Sequence, residues 1–324
     1  HSGAEIMATL KELAEMLPAI ELLWPSWIPK GFVTMLAGRQ GQGKSYLALS
    51  FARNFLLDVP WPDGFRSGKT EKKVLWLDCE SAQALLVQRS QEWKLPLDRI
   101  VLPDEPLAPI ALEDSGDREK ISNIVSRENI PFVVIDSLGG SHGLDVNSNR
   151  DMSRVLKPLA ALARDKGIAL FIVHHVRKRY QWESDLITLD NIMGSLAISQ
   201  FCRSVIVKET VKGVSRLRVE KINICKAPPP VGVSIKDGNV YFARLEGDID
   251  IPVSPFVSPA AEWLIEELGD SPRKSGEVIK EAATAGISWR QLHKAKQELG
   301  IVRIGYTWAL PNTVKHFHTD PKNA

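Results

Sequence analysis

The segment 38–45, Gly-Arg-Gln-Gly-Gln-Gly-Lys-Ser, constrains the fold of this chain more than any other feature. It matches the pattern G-x-x-x-x-G-K-[ST], it follows an apolar run at 32–37, and a helical pattern begins at Tyr46. In that context the glycines let backbone N–H groups turn inward around phosphates, and the start of the helix adds its positive dipole. The sequence therefore predicts a phosphate-binding loop between a strand and a helix.

Within this loop, Lys44 is expected to reach the β- and γ-phosphates of ATP, and the hydroxyl of Ser45 is expected to ligate Mg²⁺. The alternative is a glycine-rich turn without a ligand, and the strand–helix context argues against it. ATP and Mg²⁺ are thus the predicted cofactors. The residues expected to contact the nucleotide are Gly38, Gln40, Gly41, Gln42, Gly43, Lys44, Ser45 and Tyr46.

Short apolar runs alternate with helical patterns between residues 32 and 209. The runs lie at 32–37, 74–78, 100–102, 132–136, 168–174 and 205–208, and the helical patterns at 45–57, 81–93, 116–128 and 151–165. Strands that are continuous Val/Ile/Leu runs are buried on both faces, and their alternation with helices predicts an α/β fold with a mainly parallel sheet. Segments 216–219 and 231–242, the second with an Asp237-Gly238 turn, are predicted to extend this sheet with antiparallel strands.

A smaller domain is predicted after this core. The first domain, with a short N-terminal extension, is assigned to residues 1–243 and a linker to 244–257, which contains Gly and Pro but no helical period. Residues 258–311 predict a winged helix-turn-helix, with helices at 259–268 and 275–285, a third from Ser288 with Gln291 completing a capping box, and a hairpin around Gly305. Residues 312–324 are a tail.

Composition narrows the class of protein. The chain carries 41 Lys+Arg against 39 Asp+Glu, so no overall field steers it towards nucleic acid or a membrane. Its three cysteines show no CxxC pairing, which argues against a zinc ribbon or a disulfide scaffold and fits a reducing, cytoplasmic location. No apolar run approaches the length of a membrane span.

Two carboxylates are predicted to act beside the phosphate loop. Asp136 ends the apolar run 132–136, and a carboxylate at the carboxyl edge of a parallel strand can hold a metal-bound water. Glu80 follows the run 74–78 and is the candidate base that activates the attacking water. The alternative for each is a role in capping a helix.

Two histidines end the run 168–174. His175 is the candidate sensor of the γ-phosphate, because one imidazole there can donate a hydrogen bond to it. His174 and His175 point to opposite faces of a strand, which argues against a shared metal ion, and one of them is expected simply to be packed.

Basic residues beyond this strand are candidates for other contacts. Arg177, Lys178 and Arg179 lead into aromatic residues, a composition that suits single-stranded nucleic acid, although nearby acidic residues fit an ordinary solvated loop equally well. Arg203 is a candidate finger for a neighbouring subunit's nucleotide, with a surface ion pair as the simpler alternative. Arg290 and Lys294 share one face of the third C-terminal helix, but the balanced charge of 258–311 makes docking to a protein nearly as plausible as binding to DNA.

The strings GRQGQGKS, WLDCES, FVVIDSLGG, FIVHHVRK and GSLAISQFCRS, in this order, resemble the RepA-like branch of the RecA superfamily, which includes hexameric replicative helicases of plasmids and ATPases of phages and prophages. The resemblance covers residues 20–243. It implies Glu80 as the catalytic base, Asp136 as the metal-binding acid and His175 as the γ-phosphate sensor. It also implies that Arg203 acts in trans and that the loop 176–192 faces a central DNA channel.

The sequence thus predicts an ATP-hydrolysing, ring-forming motor, a replicative DNA helicase of a mobile element, that binds single-stranded DNA and assembles as a homo-oligomer, with a replication protein as a possible partner of the winged helix. One alternative is a recombinase-like filament or other ssDNA-binding ATPase. Another is a regulator whose winged helix reads DNA while ATP sets its oligomeric state.

Overall fold

The computed structural model describes residues 9–16, 19–68, 72–177, 185–245, 259–269, 271–299 and 301–309. The described residues fall into two compact units, one ending at Leu245 and one formed by the residues from 259 onward. Among the helices described, none combines the length and the apolar character needed to cross a membrane.

The first unit is built on a nine-stranded sheet in the order β11-β10-β9-β8-β3-β7-β6-β4-β5. Strands β3, β4, β5, β6, β7 and β8 run parallel, whereas β9, β10 and β11 continue the sheet with antiparallel pairs. Their bounds are β3 Phe32–Gly38, β4 Val74–Asp78, β5 Ile100–Val101, β6 Phe132–Asp136, β7 Ala169–His175, β8 Cys202–Val211, β9 Val214–Ile222, β10 Val231–Lys236 and β11 Asn239–Arg244. A separate pair, β1 Leu22–Trp24 and β2 Ile28–Pro29, precedes them.

Among the residues that the structure describes, six α-helices accompany these strands: α1 Leu10–Met16, α2 Lys44–Leu57, α3 Gln83–Glu92, α4 Ser115–Arg127, α5 Asn149–Lys166 and α6 Leu196–Phe201. Apolar residues of α2 and α3 share one hydrophobic core with alternate residues of the central strands, and those of α4, α5 and α6 share the other. The sheet is therefore covered by helices on both faces, which explains why β6 is buried along its whole length.

The strands agree with the α/β prediction, which is confirmed. The runs of Val, Ile and Leu became the parallel strands, and the predicted turn joins β10 and β11 through Asp237 (φ +47°) and Gly238 (φ +71°). The clearest difference concerns β8, which extends over ten residues rather than the predicted 205–208. Glu209, which follows the predicted end of this strand, did not indicate a strand because its hydrogen-bond partners, Arg216 of β9 and Ile187, are distant in the sequence.

The second unit has its own core. It consists of α7 Pro259–Leu268, α8 Ser275–Thr284 and α9 Trp289–Glu298, with β12 Arg273–Lys274, β13 Val302–Ile304 and β14 Thr307–Ala309 in a sheet ordered β12-β14-β13. The side chain of Gln291 accepts a hydrogen bond from the Ser288 backbone N–H at 2.9 Å, as the capping-box pattern predicts. Three helices and a hairpin thus occupy the segment for which a winged helix is predicted.

Candidate nucleotide site

The loop between β3 and α2 adopts a conformation that two of its glycines make possible. Gly41 and Gly43 have φ angles of +75° and +74°, a region that side chains disfavour. At Gly43 a Cβ atom would lie 2.2 Å from Cδ1 of Ile235, so a side chain here would require the end of the Ile235 side chain to move. The Gln42 side chain closes the turn by accepting a hydrogen bond from the Arg39 N–H at 3.1 Å. The backbone is thereby preformed around the start of α2.

Lys44 lies at the centre of this loop and is only 5% exposed. Its Nζ donates a hydrogen bond to the carbonyl oxygen of Arg39 at 2.8 Å. The carboxylates that act electrostatically on the Lys44 ammonium group are those of Asp136 and Glu80. Burial lowers the pKa of Lys44 to about 8, against the opposing effect of those two carboxylates. A buried ammonium group has lost the hydration that stabilises its charge, and a carbonyl acceptor replaces only part of it. Such a group is suited to bind an anion, because the anion would compensate for the lost hydration.

Ser45 and Asp136 meet at the carboxyl edge of the sheet. The Ser45 hydroxyl donates a hydrogen bond to Oδ1 of Asp136 at 3.2 Å, although the two residues are far apart in the sequence. A hydroxyl and a carboxylate side by side form the hard oxygen donor set that Mg²⁺ prefers, so the residues present fit this ion.

Asp136 is 8% exposed, and burial raises its pKa to about 6, with Glu80 and Asp78 raising it further and the Ser45 hydrogen bond acting in the opposite direction. A carboxylate buried among other acids gains from a nearby cation. The electrostatics of the site therefore favour a divalent ion next to Asp136.

Glu80 is held in place by its neighbours. The carboxylate of Asp78 accepts hydrogen bonds from the N–H groups of Glu80, at 3.0 Å, and Ala82, at 2.6 Å, which fixes the turn after β4. The Ser137 hydroxyl donates to Oε1 of Glu80 at 2.5 Å. The Glu80 side chain remains 48% exposed, so it is fixed in orientation and still open to water. The N-cap position of α3 is Ala82, without a side-chain cap hydrogen bond, so Glu80 is not the capping residue of this helix and its carboxylate is available for other contacts.

The two histidines separate as their alternation predicts. Nε2 of His175 lies 3.6 Å from Oε1 of Glu80, and burial lowers the pKa of His175, with Lys44 adding to that effect and Glu80 opposing it. His174 points to the other face, is fully buried, and makes a hydrogen bond of 2.8 Å from Nε2 to the Met193 carbonyl. Because a carbonyl only accepts, His174 carries its proton on Nε2.

Arg203 lies away from this site. It is exposed near the start of β8, next to Cys202, which pairs with Val33, whereas the phosphate loop begins at the other end of β3, where Gly38 pairs with Lys208. Five residues of strand separate Arg203 from that edge, or roughly 17 Å at the usual rise per residue. Arg203 therefore does not belong to the nucleotide site of its own chain.

The predicted nucleic-acid contacts belong to the residues after β7 and to α9. Arg177 follows β7, and its N–H donates to the Asn191 carbonyl at 2.9 Å. Lys178 and Arg179 lie outside the described residues. Arg290 and Lys294 are exposed on α9 in the second unit.

Sequence reasoning missed two residues that shape the site. Asp78 fixes the turn that carries Glu80, and Ser137 contacts the Glu80 carboxylate directly. Ser137 immediately follows Asp136, so its position at the end of β6 was a usable signal. A strand that ends at the phosphate edge brings its next residue to the same edge.

Comparisons with known proteins concern the family and the fold of this chain. The family model of the AAA domain matches residues 4–181, more than half of the chain. A solved structure of an ATPase domain aligns with a TM-score of 0.51 and 15% sequence identity, over 67% of this chain and 86% of that chain. A KaiC-like protein, PH0186, from Pyrococcus horikoshii OT3 aligns with a TM-score of 0.49 and 13% identity, over 67% and 91%. No curated protein sequence matches. The first of these structures shows that the core shares its fold with that ATPase domain.

Proposed function

Because this chain belongs to the AAA domain family, we propose that it is an ATP-hydrolysing motor that assembles as a homo-oligomer, in a hexameric ring, and acts on single-stranded DNA. Family and fold together make it a RecA-like ATPase. The DNA dependence, the ring and the role as a RepA-like replicative helicase of a mobile element constitute the proposal.

One observation supports hydrolysis above all others: Lys44 is buried in the phosphate loop, and the Ser45 hydroxyl next to it contacts Asp136 at 3.2 Å. At the same edge of the sheet, the Ser137 hydroxyl contacts Glu80 at 2.5 Å. Phosphoryl transfer needs a cation on the phosphates, a metal-holding carboxylate and a group that orients the attacking water. ATP supplies the transferred phosphoryl group, and bound Mg²⁺ would neutralise phosphate charge. In our proposal Lys44 binds the β- and γ-phosphates, while Ser45 and Asp136 hold the metal ion.

Glu80 accepts the proton of the attacking water in this proposal. Its contact with Ser137 fixes the carboxylate, and the imidazole of His175 is close enough to respond when that carboxylate moves. We assign His175 the role of γ-phosphate sensor. Its pKa is lowered, so it is neutral at pH 7 and offers one N–H donor rather than a charge.

Arg203 fits a role between subunits. Because Arg203 is too far from the phosphate loop of its own chain to contact the nucleotide there, a catalytic role requires contact with the nucleotide of a neighbouring subunit. In a ring, the start of β8 of one subunit would face the phosphate edge of the next. An arginine supplied in this way stabilises charge on the transferring phosphate, an effect of about 10³–10⁵ in other phosphoryl-transfer systems.

DNA contact is assigned to the loop 176–192 and to α9. Arg177, Lys178 and Arg179 would pair with phosphates in the central channel, as the sequence resemblance implies. In the second unit, Arg290 and Lys294 lie beside Trp289, which is 58% exposed, on the helix that would read DNA or dock a replication protein if this unit is a winged helix.

ATP hydrolysis with and without single-stranded DNA tests the proposal. We expect stimulation by DNA, weakened when Arg177 and Lys178 are both changed to Gln, with a smaller dependence of DNA binding on salt. The matched control changes Lys120 and Arg127 on α4, both exposed, to Gln and should leave stimulation intact. No stimulation and no DNA binding by the wild type would refute a DNA motor, and electron microscopy of the assembly separates a ring from a recombinase filament.

A further inference from the structure

Strand β8 carries a buried charged network that the nucleotide site does not use. The side chain of Glu209 is fully buried, and its Oε1 accepts hydrogen bonds from Nε of Arg216 at 2.9 Å and from Nε of Arg218 at 3.0 Å. Arg216 is itself nearly buried, whereas Arg218 also contacts Glu220 at the edge of the network. Two acids and two arginines therefore balance in charge.

The network also reaches the backbone of a residue from another segment. The N–H of Ile187 donates to Oε2 of Glu209 at 2.8 Å, and Nη2 of Arg218 donates to the carbonyl oxygen of Ile187 at 2.8 Å. Both polar backbone groups of Ile187 are thus satisfied by side chains of β8 and β9. A backbone position held from both sides by charged groups has little freedom to move independently of them.

Ile187 belongs to the C-terminal stem of the loop 176–192, and the N-terminal stem contacts the phosphate loop. The N–H of Val176 donates to the carbonyl oxygen of Gly38 at 3.2 Å, and Val176 pairs with Ile192 in an antiparallel bridge. The N-terminal stem is therefore hydrogen-bonded to the first residue of the phosphate loop. The C-terminal stem is hydrogen-bonded to Glu209, whose neighbour Lys208 pairs with Gly38. The two stems and the phosphate loop share one edge of the sheet.

We propose that Glu209, together with Arg218, is a positioning device that fixes the C-terminal stem of this loop to the strand next to the phosphate loop. Stability alone gives little reason for such a network, because apolar residues of similar size often replace a buried ion pair without loss. Its geometry offers what apolar packing does not: directional contacts to one backbone unit. Such a device would also couple the two sites, because movement at the phosphate edge would be transmitted to the loop 176–192. This coupling rests on the proposed DNA-stimulated ATPase function.

Hydrogen exchange at Ile187 tests the positioning role without reference to function. In the full chain without DNA, we expect a protected amide in the wild type and at least about tenfold faster exchange in Arg218→Lys, which keeps the charge but loses the forked contact. Glu209→Gln should accelerate exchange at Ile187 further. If the Glu209→Gln protein does not fold, the milder Arg218→Lys variant still provides the test. The matched control, Glu220→Gln, removes a partner of Arg218 that does not contact Ile187 and should leave exchange at Ile187 unchanged.

ATPase assays on the same variants test the coupling. Arg218→Lys should keep ATP hydrolysis without DNA within about twofold of the wild type and lose most of the stimulation by single-stranded DNA. An Ile187 amide that exchanges equally fast in the wild type and in Arg218→Lys would overturn the positioning role. Normal stimulation in a variant with faster exchange would overturn the coupling alone, whereas a wild type without stimulation would count against the proposed function instead.

Discussion

Acidification should destabilise the first unit, and the buried ring of His174 is expected to contribute to that loss. Its ring is fully buried, its Nε2 is bound to the Met193 carbonyl, and Nδ1 has no hydrogen-bond partner among the described residues. Burial lowers the pKa of His174 to about 4, opposed by the Met193 carbonyl and aided by the positive charges around it, including that of Lys44. The folded protein therefore resists protonation at this position.

The size of the effect follows from the difference between folded and unfolded states. An unfolded chain would protonate this histidine near its ordinary pKa of 6.5, about 2.5 units above the folded value. At about 1.4 kcal/mol for each unit between the two pKa values, the difference amounts to about 3.5 kcal/mol in the free energy of unfolding. Because the folded pKa is the lower one, this contribution is complete above about pH 6.5 and is lost as the pH falls towards 4.

Urea unfolding between pH 7 and pH 4.5, followed by tryptophan fluorescence, measures this contribution. His174→Gln keeps an N–H donor for Met193 but does not titrate, so its stability should fall less with acidification than that of the wild type. The control His293→Gln changes an exposed ring in the second unit and should follow the wild-type curve. Wild-type and His174→Gln curves that fall in parallel would refute the assignment of a buried, neutral imidazole.

Two further substitutions probe the site. Gly43→Ala should abolish tight ATP binding and lower the Tm by more than Gly41→Ala. Both substitutions replace a glycine of positive φ, but only a Cβ atom at position 43 would meet Ile235. Equal losses of Tm in calorimetry and of affinity in nucleotide titration would contradict this steric reason. Ser137→Ala should lower kcat for ATP hydrolysis by about tenfold with little change in KM, because it frees the Glu80 carboxylate without touching the phosphates, and a change confined to KM would contradict this role.

The sequence was sufficient for the parts of the molecule that local patterns encode. Buried parallel strands are continuous apolar runs, the phosphate loop has a fixed spacing of Gly, Lys and Ser, and the carboxyl ends of such strands share one edge. Those three facts placed Lys44, Asp136 and Glu80 near one another before any distance was known. The contacts between Ser45 and Asp136 and between His175 and Glu80 agree with that expectation.

The sequence did not reveal contacts between residues that are distant in the chain. Lys208 and Glu209 end the apolar part of β8, and a charged pair there indicates the end of a strand when only neighbours along the chain are considered. Glu209 is buried because Arg216 arrives from β9 and Ile187 from a loop stem, pairings that tertiary structure sets. His174 is a similar case, since its tautomer is fixed by the Met193 carbonyl.

We propose that Glu80 activates the water that attacks ATP bound at Lys44. Single-turnover hydrolysis and nucleotide affinity of Glu80→Gln test it most directly, with Glu92→Gln, the same change at an exposed position on α3, as the matched control. We predict that Glu80→Gln binds ATP within about twofold of the wild type and hydrolyses it at least about 10²-fold more slowly, whereas Glu92→Gln behaves as the wild type. Hydrolysis by Glu80→Gln at the wild-type rate would refute the assignment of Glu80 as the catalytic base.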